Sequence, residues 1–190
     1  MKLPPVILAS ASPRRAELLR EIVSEFQILP GHAEEFQPEH LSPVEAGLLN
    51  AYRKARVIAK KFPDALVIGA DTEVVLGRRV FGKPRDLADA HAMLTGLAGR
   101  EHQVITGVCL ICLRRHRQKL FSVTTRVKFK PLRADEIAEY LALINPLDKA
   151  GAYAIQEHGD KIVAKIDGLF SNVVGLPVER LREELDVFAL

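Results

Sequence analysis

QVITGVCLICLRRHRQKLFSVTTRVKFK, residues 103–130, decides the kind of fold this chain adopts. Two long apolar stretches flank the polar turn RRHRQK. In the second stretch Phe121, Val123, Thr125, Val127 and Phe129 alternate with Ser122, Thr124, Arg126 and Lys128. That period of two belongs to a strand with one face on the core and one toward water. The first stretch is apolar throughout and reads as a buried strand. It contains Cys109 and Cys112 at a C-x-x-C spacing. A redox or zinc pair needs a tight turn or a helix start. Strand neighbours three apart point to opposite faces, so these sulfurs diverge and read as core residues.

Working outward, Val6 to Ala9 form a short apolar strand. Ser12 is placed as an N-cap and Pro13 as the first helical residue, where a missing N–H costs nothing. Leu18, Leu19, Ile22, Val23 and Phe26 then share one helical face. After a polar loop, Ser42 and Pro43 open a second helix, whose buried stripe is read as Val44, Leu48, Ala51, Ala55 and Ile58. Leu66 to Ala70 form a buried strand reaching Asp71, with a hairpin-like turn at Gly77–Arg78. Asp86 caps a helix that turns Leu87, Ala90, Leu94 and Leu97 inward and stops at Gly99. Beyond residue 130, a helix with Ile137, Tyr140, Leu141 and Ile144 inward ends at Asn145–Pro146. Two short strands and a helix from near Pro177 close the chain. Helices and strands mix without strict alternation, which gives an α/β class with a mixed, partly antiparallel sheet. No repeat or low-complexity linker divides the sequence, so residues 1–190 read as one domain.

Composition narrows the function classes. The chain is 48% hydrophobic and 27% charged, as in ordinary globular proteins. Its formal net charge of +3 is spread without a Lys/Arg run, and aromatic residues make up only 6%. A nucleic-acid surface needs basic clustering or stacking rings, so none is expected. The apolar N-terminal stretch is too short and too soon broken for a signal peptide or a membrane span, and a cytoplasmic location is expected.

Chemistry concentrates in a few places. In ILASASPRRAELL, residues 7–19, Arg14 and Arg15 stand where a helix begins, although the first turn disfavours cations. A strand, a loop of small residues and a helix start form a natural anion site, and guanidinium forks suit phosphate oxygens. The alternative is two solvated arginines, each costing only about 0.3–1 kcal/mol there. No Walker pattern is present. Asp71 ends an apolar run and serves as a cation ligand, a general base, or a turn cap with Thr72. Lys54, Lys83, Glu34 and Glu35 are solvated charges unless the fold brings them together. In DKAGAYAIQEHG, residues 148–159, Gly151 allows close approach or positive φ, and Gln156 offers the donor and acceptor that base recognition needs. The other reading is a plain turn with Tyr153 in the core. No H-x-x-x-H spacing marks a zinc site.

Taken together, SASPRRAELL, Lys54 with ARVIAKK, GADTEVV, FGKPRD, LAGREHQVITGV, LDKAGAYAIQ and SNVVGLP resemble the Maf family of nucleoside triphosphate pyrophosphatases. They run in the family's order along nearly the whole chain. The resemblance implies hydrolysis between the α- and β-phosphates, giving a monophosphate and pyrophosphate. It also implies a fold of the inosine triphosphatase type: two lobes on a mixed sheet with flanking helices and a central cleft. A divalent cation, Mg²⁺ or Mn²⁺, is implied as cofactor. Asp71 matches the family's proton acceptor and a metal ligand. Arg14, Thr72 and Gln156 match positions tied to substrate selection, and Arg15, Lys54 and Lys83 match basic residues of the cleft. Ser10 and Glu34 or Glu35 fall near other active-site positions, the glutamates as metal candidates.

LDKAGAYAIQ is similar to the branch acting on dTTP and UTP. A 7-methyl-GTP or other modified-nucleotide hydrolase, and a nucleotide-binding septum regulator without turnover, are the alternatives; a homodimer stays open. Two residues depart from the family pattern. Glu73 replaces an apolar residue and sets a second carboxylate near Asp71, which bears on metal binding. Ala154 replaces the usual Gly of G-A-Y-G-I-Q.

Overall fold

A computed structural model of the chain describes residues 3–31, 33, 36 and 40–188. The elements are β1 (Val6–Leu8), α1 (Pro13–Arg20), β2 (Gln27–Ile28), α2 (Pro43–Ala59), β3 (Leu66–Leu76), β4 (Arg79–Phe81) and α3 (Leu87–Leu97). They continue with β5 (Glu101–Cys112), β6 (Arg117–Phe129), α4 (Ala134–Leu143), a 3-10 turn at Ala150–Ala152, α5 (Gly159–Ile162), β7 (Val163–Asp167), α6 (Phe170–Val174) and α7 (Val178–Phe188). The strands hydrogen-bond in the order β2-β1-β3-β5-β6-β7, with β4 on β3. The β1–β2 and β1–β3 pairs are parallel, whereas β3–β4 and β6–β7 are antiparallel. The sheet is therefore mixed, as the sequence pattern required.

Local chemistry explains the helix starts. Ser12 caps α1 by accepting from the Arg15 N–H at 3.4 Å, with Pro13 in the first turn. Ser42 and Glu45 form a reciprocal capping box on α2, at 3.3 Å and 2.8 Å. Asp86 accepts from the Asp89 N–H at 2.7 Å to start α3.

Four expectations are corrected. Strand β3 does not end at Asp71 but runs on to Leu76, because Val74 and Val75 pair with β4 through Val74↔Phe81 and Val75↔Val80. On α3 Leu87 is exposed, and Met93 takes the inward place beside Ala90, Leu94 and Leu97. On α2 Val44 and Leu48 are only half-buried, while Ala46, Gly47 and Asn50 join Ala51, Ala55 and Ile58 inside. The expected two short strands near the C-terminus are one, β7, between the short helices α5 and α6.

The chain divides into two compact units. The first takes residues up to Asp71, Thr106–Val123 and Gly175 onward; the second takes Thr72–Ile105 and Thr124–Val174. Each has its own apolar core. Ile7, Ala55, Ile58, Val67, Cys109 and Ile111 pack together in the first. Phe81, Leu94, Phe129, Ile137, Tyr140 and Tyr153 pack together in the second. Both cysteines are free and buried, and burial pushes the Cys109 thiol up to about 12. Among the described residues, no helix is long and apolar enough to cross a membrane.

Helix α2 lies close on the first unit's strands because glycines leave it room. A Cβ on Gly107 would stand 2.5 Å from the Gly47 backbone, and one on Gly69 would stand 2.9 Å from the Ala55 Cβ. Backbone cannot move aside as a flexible side chain can. Gly107→Ala is therefore expected to lower unfolding free energy by about 1–3 kcal/mol through overpacking. Denaturant midpoints check this, and an unchanged midpoint would show that α2 backs away freely.

Candidate active site

Asn50 and Lys54 stand four residues apart on α2, so both side chains leave the same helical face. That face meets β3 at Asp71, which is buried at 6% exposure. Lys54 Nζ donates to Asp71 Oδ1 at 2.5 Å, and Asn50 Nδ2 donates to Oδ2 at 3.3 Å. A carboxylate out of water needs this compensation from an opposite charge and a donor. Asn50 also donates to the Phe36 carbonyl at 3.1 Å and accepts from the Phe36 N–H at 2.9 Å. One buried amide thus ties residue 36 to the carboxylate. Sequence reasoning missed Asn50. The available signal was a polar residue inside the small-residue stripe of α2, four positions before Lys54.

The two arginines of the opening motif differ. Both are half-buried. The Arg15 guanidinium donates to the Gly175 carbonyl at 2.8 Å, the Ala70 carbonyl at 3.0 Å and the Ser10 hydroxyl at 3.2 Å. Ser10 is itself buried, and its oxygen also accepts from the Ser12 N–H at 3.2 Å. Arg15 therefore fastens the loop before α1 to the strand position just ahead of Asp71. In the first unit the structure brings Ser10, Arg15, Lys54 and Asp71 together, with Arg14 next to Arg15 in the first turn of α1.

Thr72, Lys83 and Gln156 belong to the second unit. Thr72 is half-buried, Glu73 is buried, and Lys83 and Gln156 are exposed. The Gly82 carbonyl beside Lys83 accepts from the Gly151 N–H at 3.0 Å, which joins the G-K-P loop to the segment carrying Gln156. Gly151 has φ +69° and lies against Val74, where a Cβ would approach to 3.1 Å. Both properties expected of this glycine are present. Buried Lys149 closes the segment, with Nζ 2.6 Å from the Asn145 carbonyl, 2.9 Å from Asp148 and 3.5 Å from Glu157. Tyr153 packs in the core, edge-on to Phe129 and His102, with its hydroxyl 3.0 Å from His102 Nε2. Burial holds the His102 imidazole down to about 4, so it is neutral near pH 7.

Among the described residues, no group of three His, Cys, Asp or Glu side chains comes together as a metal site. Glu34 and Glu35 lie outside the described residues. Asp71 offers a hard carboxylate oxygen. Mg²⁺ is commonly held by one or two carboxylates plus substrate phosphates, so the donor type fits such an ion.

The fold is that of the Ham1 proteins. It aligns with the Staphylococcus aureus Ham1 structure at TM-score 0.52 and 15% identity, covering 97% of this chain and 100% of that one. The Coxiella burnetii HAM1 structure aligns with the same score and coverage at 12% identity. Residues 5–188 match the family described as Maf-like protein, and the chain belongs to that family. A relative from Carboxydothermus hydrogenoformans is 48% identical over 95% of this chain and 96% of its own length. Another, from a Geobacillus species, is 46% identical over the same shares. Both carry the name dTTP/UTP pyrophosphatase.

The buried imidazole gives a pH prediction. His102 falls from an ordinary value of 6.5 to about 4 on folding. Between those values the unfolded chain binds the proton and the folded one does not. Its contribution is therefore complete above pH 6.5 and lost as pH falls toward 4. Between pH 7.5 and 4.5 the wild type should lose about 2–3 kcal/mol more than His102→Gln in urea unfolding. Parallel losses in the two proteins would refute it.

Proposed function

We infer that the chain is a nucleoside triphosphate pyrophosphatase that hydrolyses dTTP and UTP to the monophosphate and pyrophosphate. The observation that carries this reading is the full-length similarity to relatives bearing that name. The chemistry around Asp71 is consistent with it. Asp71 is buried against Lys54, and as a general base it would orient water and take its proton. The water oxygen bonds to the α-phosphorus, the α–β bridging P–O bond breaks, and pyrophosphate leaves with the bond's electron pair. Arg14, Lys54 and Lys83 offset the triphosphate charge, aided by the Ser10–Arg15 loop. Several cations are required because a triphosphate loses hydration on binding.

Arg15 holds the loop in shape, donating to the Gly175 and Ala70 carbonyls and to the Ser10 hydroxyl. Arg14, Thr72 and Gln156 select the nucleotide. Asp71, with Glu34 and Glu35, holds a divalent cation, Mg²⁺ or Mn²⁺, which supplies charge neutralisation on the phosphates when bound. The chain works as one domain in the cytoplasm; two free buried thiols are in keeping with a reducing compartment.

A pyrophosphate-release screen over standard and modified nucleotides, with each metal, tests the reading. Wild type should prefer dTTP and UTP, and Asp71→Asn should lose at least about 100-fold in kcat while keeping a cooperative thermal transition. Preference for 7-methyl-GTP would move the chain to another branch. Wild-type turnover in Asp71→Asn would remove Asp71 from the base role.

A further inference from the structure

We propose that Tyr140 is a positioning residue for nucleotide selection, fixing through its hydroxyl the backbone from which Gln156 presents its amide. This rests on the reading of Gln156 as a selecting residue. Tyr140 stands on α4 and is fully buried. Its hydroxyl donates to the Ala154 carbonyl at 3.0 Å and accepts from the Ala154 N–H at 3.0 Å. One phenol thus satisfies both backbone groups of a buried residue that belongs to no strand. A neighbouring strand would otherwise make those bonds. Burial pushes the phenol up to about 12, so the O–H stays available as a donor.

The rest of the segment is fastened on the same pattern. Tyr153 is held through its hydroxyl to His102, Gly151 through its N–H to Gly82, and Glu157 by Lys149. Gln156 is the exposed residue between these anchors, on a turn that leads into α5. A side-chain amide tells bases apart by matching donors to acceptors, and hydrogen-bond strength falls steeply with misalignment. A selecting amide on a loose turn would accommodate several bases; one whose backbone is fixed two residues away would not. A Tyr kept only to fill the core would need its ring and no hydroxyl.

The test measures kcat/KM for dTTP and for dGTP in wild type, Tyr140→Phe, Gln156→Ala and the double variant. Tyr140→Phe should reduce the dTTP/dGTP ratio about tenfold or more, mainly through KM for dTTP, and the double variant should lose no more than Gln156→Ala. Amide exchange should accelerate at residues 153–157 and stay unchanged in α4. If Tyr140→Phe keeps the wild-type ratio while Gln156→Ala loses it, the proposal falls and the reading of Gln156 stands. If Gln156→Ala itself keeps the ratio, the reading falls and takes the proposal with it. Should Tyr140→Phe lose its cooperative thermal transition, Tyr153→Phe carries the same test through the adjacent anchor, with the same expected and overturning results.

Discussion

A carboxylate inside a sheet constrains everything placed around it. Asp71 sits within β3, not at its end, and water cannot solvate it well there. Lys54 and Asn50 meet that need, but only if α2 lies close enough for side chains four residues apart to reach the strand. Closeness in turn requires Gly69 and Gly107 beneath the helix. A buried ion pair of this kind is weak evidence for stability, since a matched apolar replacement is often as stable or more so. Under the proposed function, chemistry at the carboxylate accounts for the pair better than folding does. The same pair also explains why α2 is lined with Ala46, Ala51, Ala55 and Ala59 where longer side chains would bury more area.

The paired arginines at the start of α1 looked electrostatically misplaced, and Arg15 shows how the conflict is resolved. Its guanidinium spends donors on two carbonyl oxygens and a hydroxyl, whose partial negative charge offsets the unfavourable helix end. Since one of those carbonyls belongs to Ala70, the contact also holds the backbone directly before Asp71. Arg15 is thus engaged with the loop, the chain near Gly175 and the strand before Asp71.

Features governed by local chemistry were legible in the sequence. The Ser12–Pro13 and Ser42–Pro43 helix starts, the Asp86 cap and the alternation along β6 all depend on residues within a few positions of one another. Features governed by distant partners were not. Asn50 is buried because Phe36 and Asp71, 14 and 21 residues away, satisfy its amide. No periodicity in α2 reveals that. The apolar run stops at Asp71 and by itself marks a strand end there, yet pairing to β4 extends the strand through Thr72 and Glu73. Spacing alone points Leu87 inward, whereas the first turn of α3 leaves it exposed and Met93 packs instead. The candidate site was legible mainly as motifs in the order of a known family; the contacts among Ser10, Arg15, Lys54 and Asp71 needed coordinates.

The candidate residues also divide by the kind of support they receive. Ser10, Arg15, Lys54 and Asp71, in the first unit, are held by direct contacts in two pairs, Ser10 with Arg15 and Lys54 with Asp71. Gln156, assigned to selection, is exposed in the second unit, and its support comes one layer below: Tyr140 bonds the Ala154 backbone, Tyr153 bonds His102 and Lys149 pairs with Glu157. The two strategies suit the two tasks. A general base must be kept from bulk water, so its partners surround the carboxylate itself. A selecting amide must keep its donors and acceptor open to an incoming base, so rigidity has to be supplied through the main chain. One of the points where the chain passes from the first unit to the second is the Asp71–Thr72 peptide bond of β3, so one strand carries the candidate base and, as the very next residue, a selection candidate.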